Sequence, residues 1–189
     1  MGGHPWMYFV PYEGDLQAAL DKLKERELRA GRYNPAMPSI PFPVDPAEPA
    51  PGAKHASVEA ARAAADADGT RSILDMDRVV TEPRVPGVDD GMVGLQEHLD
   101  ALADEGPGGL VDLGQLDVGA LMGAAGFGVV TPVAADQLRR LYGTTTPSRE
   151  AVAKAPDFLD DLERGTGVYV ILYEGETPTG ICFAGYSYD

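Results

Sequence analysis

The chain has 189 residues, a formal net charge of −15, 44% hydrophobic residues and a single cysteine. That length suits one domain with a sizeable core, and no apolar run reaches the roughly 18 residues that a membrane-spanning helix needs. One sulfur excludes an intrachain disulfide framework and a multi-cysteine zinc site, and an acidic surface repels phosphate backbones and anionic headgroups, so neither nucleic acid nor membrane is an expected partner.

The N-terminus lacks the basic start and apolar run of a secretory leader, so a cytoplasmic protein is expected. Instead, Trp6 to Tyr12 reads as a strand that ends where Pro11 removes a ladder donor. A helix follows: Asp15 is the N-cap, Leu16, Ala19, Leu20, Leu23 and Glu27/Leu28 keep the 3.6-residue repeat, and Gly31 stands where a left-handed C-cap belongs. Over residues 34–52 seven prolines exclude helix and central strand. Met37, Ile40, Phe42 and Val44 make this segment apolar enough to lie back on the protein's own surface as a strap. Ser57 caps a short alanine-rich helix to about Ala67, the Asp68-Gly69 turn closes it, and Ser72 to Val80 has strand-like content.

After a loop from Thr81 to Gly91, Met92, Leu95, Leu99 and Leu102 recur at helical spacing up to a stop at Gly106-Pro107. A glycine-rich insertion spans 106–128, with a brief strand at Phe127 to Val130. Val133 to Tyr142 reads as a helix closed by Gly143, and the next helix has Thr146 as its cap and Pro147 in the first position. Pro156 breaks that helix, and Phe158, Leu159 and Leu162 support a further turn. Two β-branched and aromatic runs, Val168 to Tyr173 and Ile181 to Tyr188, flank the turn Glu174 to Gly180 and predict an antiparallel hairpin. The expected fold is a single α+β domain over 1–189: a mixed, mainly antiparallel sheet of about five strands including the C-terminal hairpin, with helices packed mainly on one face. Strands and long helices do not alternate regularly, which argues against a doubly wound nucleotide fold.

Chemistry-bearing residues are sparse. On a strand, Asp75 and Asp77 would share one face and could hold a divalent cation, but such a site needs further ligands. Glu174-Gly175-Glu176 resembles the paired glutamates of ADP-ribosyltransferases, yet no arginine strand or Ser-Thr-Ser strand precedes it, and the pair falls in the hairpin turn. The glycines at 123, 126 and 128 lack the strand-then-helix setting of a phosphate loop. Cys182 with a histidine such as His98 is a nucleophile and base pairing that only folding could assemble; His4 and His55 are the other histidines. Neither metal nor cofactor is expected.

Aromatic residues concentrate at the two ends, and a sheet face carrying Tyr169, Tyr173, Tyr186 and Tyr188 could form a recognition surface. Acids outnumber arginines thirteen to three over 66–117, a stretch that includes Asp89 and Asp90. Alanine, glycine, proline and arginine enrichment also matches a GC-rich genome, whose proteins are often acidic for solubility. The reading that emerges is a non-enzymatic protein-binding module with a basic protein partner, an inhibitor or immunity-type protein being one concrete form. The alternatives are an enzyme using Asp75/Asp77 or Cys182/His98, and an assembly component.

Overall fold

The computed structural model describes residues 4–33, 42–47, 52, 54–61, 63, 72–81, 128–162 and 164–186. Its centre is a five-stranded sheet ordered β1-β5-β4-β3-β2. The strands are β1 (Pro5–Pro11), β2 (Arg78–Val79), β3 (Val129–Pro132), β4 (Gly167–Glu174) and β5 (Thr177–Tyr186). β5 is antiparallel to both β1 and β4, whereas β3 runs parallel to β4 and to β2. The α+β class, the mixed sheet and the hairpin therefore match the sequence.

In β1, β4 and β5 consecutive residues are buried, which requires cover on both faces. One core joins Trp6, Tyr8, Val10, Ile181 and Phe183 to Leu20 and Leu23 of α1 (Leu16–Ala30). The opposite core joins Met7, Phe9, Val170, Leu172 and Cys182 to Leu138 of α2 (Ala135–Tyr142), Val152 of α3 (Arg149–Lys154) and Phe158 of a 3₁₀ turn at Asp157–Asp161. Helices thus lie on both faces rather than mainly on one.

Local chemistry sets the element ends. Asp15 accepts from Ala18 N at 3.0 Å, and Gly31, with φ 74°, donates to the Glu27 and Leu28 carbonyls, so both caps of α1 fall where the sequence puts them. The hairpin turn is tighter than expected. Gly175 takes φ 63° as the first of two turn residues, the place where a type II′ hairpin calls for glycine, so β5 begins at Thr177.

Two expectations are corrected. Ser72 to Val80 is a 3₁₀ turn at Ile73–Asp75 followed by the two-residue β2, because Ser72 and Asp75 form a reciprocal capping box. The helix cap after Gly143 is Ser148, whose hydroxyl accepts from Ala151 N at 3.2 Å. Pro147 stays outside the helix, and its carbonyl accepts from Tyr173 N at 3.0 Å.

Both margins of the sheet are occupied. Val44, buried in the first core, bridges in parallel to Tyr8 and donates to the Met7 carbonyl at 2.9 Å, so the described part of the strap lies on the protein's own surface. At the other margin the Gln17 side chain accepts from Val79 N and donates to the Asp77 carbonyl. The amide of a helix residue thereby does the work of a neighbouring strand. The expected helix over 92–102 and residues 106–127 of the glycine-rich insertion lie outside the described residues.

Candidate groove at the end of the sheet

The residues singled out from sequence do not converge. Asp75 accepts from Ser72 N in the capping box, while Asp77 is exposed and sits 3.6 Å from the Lys24 ammonium. With no strand beneath them, the two carboxylates do not share a strand face, and no group of three or more metal-ligating side chains occurs among the described residues. His98, Asp89, Asp90 and Tyr188 lie outside the described residues. His55 packs against the Tyr33 ring. Tyr169 is buried, with its ring 6.5 Å from that of Phe183, and burial raises the pKa of its hydroxyl. Tyr186 is half-buried against the second core. The two tyrosines thus serve different faces.

Cys182 is wholly buried opposite Phe9, and desolvation pushes its thiol pKa well up despite the opposing influence of Arg149. A sealed, protonated thiol is no nucleophile; it behaves as a small apolar core residue. The folded protein is therefore expected to react with an aromatic disulfide reagent at least about a hundredfold more slowly than free cysteine at pH 8, and to release one thiol equivalent on denaturation. Rapid native labelling would refute this burial. Because folding raises the thiol pKa, the unfolded chain loses its proton first, and this group makes stability fall as pH rises through the ordinary thiol value of 9.0.

A buried charged cluster escaped the sequence reading. Glu27 is fully buried and holds Arg32 through two bonds, Nε to Oε2 at 3.0 Å and Nη2 to Oε1 at 3.2 Å, while Arg26 Nε lies 2.6 Å from Oε1. Tyr8 donates to the Arg32 carbonyl at 3.0 Å, and desolvation, then the Glu27 charge, pushes its pKa upward. Arg32 Nη1 also reaches the Pro46 carbonyl at 3.4 Å, tying α1 to the strap. The sequence signal was a glutamate inside an apolar helical stripe.

A groove of about 660 Å³ lies at the end of the sheet. The ends of β1 and β4, the start of β5 and the first turn of α3 enclose it. Phe9 and Leu172 supply apolar wall, and the Arg149 guanidinium lies 4.8 Å from the Phe9 ring centroid. Tyr173, Glu150 and Glu174 also line it. Among the described residues neither Glu150 nor Glu174 is in an ion pair, and the Tyr173 ring has no aromatic or cationic partner. Compared with protein-family models, curated proteins and solved structures, the chain matches none.

Proposed function

We propose that this protein is a non-enzymatic binding module that captures a basic protein, an inhibitor or immunity-type role being its specific form. The observation that carries the reading is the groove, lined by Glu150, Glu174 and Arg149 beside Phe9 and Leu172, on a chain of net charge −15. A surface of this sign speeds encounter with a positively charged partner, and the aromatic lining supplies contact area with few torsions to freeze. Asp75 serves the fold in a cap and Cys182 in a core, so these two of the residues nominated for catalysis have structural roles.

The test is affinity purification from the protein's own host at about 50 and about 200 mM salt, followed by reconstitution with the purified candidate. One basic protein is expected, retained at the lower salt and diminished at the higher, with the same dependence after reconstitution. Recovery of nothing, or of proteins indifferent to salt, would end the reading.

A further inference from the structure

We infer that Tyr8, Arg32 and the buried carboxylate of Glu27 form a latch on the strap, so that the Tyr8 hydroxyl and Glu27, neither of which bonds to the described part of the strap, decide how often it leaves the margin of β1. The contacts close a circuit. The Tyr8 backbone bridges to Val44, whose N–H donates to the Met7 carbonyl at 2.9 Å. Two residues further along the strap, the Pro46 carbonyl accepts from Arg32 Nη1 at 3.4 Å. The Arg32 carbonyl in turn accepts from the Tyr8 hydroxyl at 3.0 Å, which returns the path to its start.

Glu27 sets the geometry of this circuit. Its two oxygens hold Arg32 Nε at 3.0 Å and Nη2 at 3.2 Å, and a planar guanidinium fixed at two nitrogens has its third already aimed. Nη1 therefore meets Pro46 with little further loss of torsional freedom. From the strap side, the Asp45 carboxylate adds a charge attraction to Arg32, and its Oδ1 is kept in place by the N–H of Ala47 at 2.9 Å. Val44 is buried in the same core as Tyr8 and Leu28, so packing and hydrogen bonds act on the same few residues. Loosening one arc of such a network weakens the seat of the next. With the strap in place the Met7 carbonyl is taken; with the strap away that carbonyl is left to a donor of another chain. The latch thus sets how often the β1 margin opens.

The experiment is native-state amide hydrogen exchange, followed by NMR on the isotopically labelled full chain, with the Val44 amide read against those of residues 181–184 in β5. Tyr8→Phe deletes only the hydroxyl and is expected to speed Val44 exchange about fivefold. Glu27→Gln should speed it about tenfold or more. Asp45→Asn keeps the acceptor for Ala47, lies on the surface where the core is untouched, and should speed it about twofold. Val152→Ala, in the opposite core, should speed the β5 amides and leave Val44 unchanged. An unchanged Val44 rate in Tyr8→Phe and Asp45→Asn would overturn the latch. A Val44 amide as sensitive to Val152→Ala as the β5 amides would overturn it too, because the strap would then leave only when the whole protein unfolds.

Discussion

Gly185→Ala is expected to destabilise the protein by about 3 kcal/mol or more, at or above the upper end for an added core methyl. The cause is a row of residues across the sheet. Trp6 of β1 pairs with Gly185 of β5, which in turn pairs with Gly167 of β4, so the indole lies over two positions that have no side chain. A Cβ at Gly185 would overlap Trp6 Cζ2 and the Thr166 carbonyl oxygen, and it would stand 2.8 Å from Trp6 Cε2. A ring can tilt, but the carbonyl is fixed backbone. For a chain of this size the loss corresponds to a Tm drop of roughly 6–12 °C. Trp6 is the one tryptophan, so its fluorescence reports the same unfolding from within the row. A drop below about 2 °C would mean that the indole does not lie across these glycines. Gly167→Ala should be milder, because its nearest neighbours, Trp6 Cη2 at 3.0 Å and Met76 Sδ at 3.1 Å, are ends of movable side chains.

Glu27→Ala is expected to cost about 3 kcal/mol or more, since it leaves a buried guanidinium without its counterion. Arg32→Ala should cost less, because Arg26 still pairs with Glu27, although it also removes the contact with Pro46. The informative comparison is the double substitution Glu27→Met with Arg32→Met. Replacing the pair by apolar groups of similar bulk removes both desolvation penalties, so the double variant should be less destabilised than the sum of its single substitutions. Denaturant unfolding of the original protein, Glu27→Met, Arg32→Met and the double variant measures the coupling. Strict additivity would show that the two charges do not depend on one another.

The parts of the fold that sequence made legible are those decided within a few residues. Asp15 and Gly31 fix α1 through bonds to their own neighbours, and the alternation of Tyr169, Ile171 and the runs around Gly175 yields the hairpin without outside help. That β1 pairs beside the hairpin was not decided by the sequence, which shows only aromatic runs at both ends. Ser72 to Val80 misled because Ile73 and Leu74 suit a buried 3₁₀ turn as well as a strand, and the deciding bond runs from Ser72 N to Asp75. Cover on both faces was written in Met7-Tyr8-Phe9-Val10, an unbroken apolar run that a one-sided sheet would not tolerate. The groove was not legible. Phe9, Arg149 and Leu172 come from three distant segments that only the folded sheet and its covering helix bring together.

Val44 against β1 and Gln17 against β2 have a bearing on selectivity. A sheet with open margins can recruit almost any extended peptide, because main-chain pairing is blind to sequence. Here an incoming strand would find the Met7 carbonyl already engaged at one margin and Val79 N engaged at the other. At these two points strand addition would require displacing the strap or the amide. Indiscriminate main-chain pairing is thus opposed at both points by the protein's own residues.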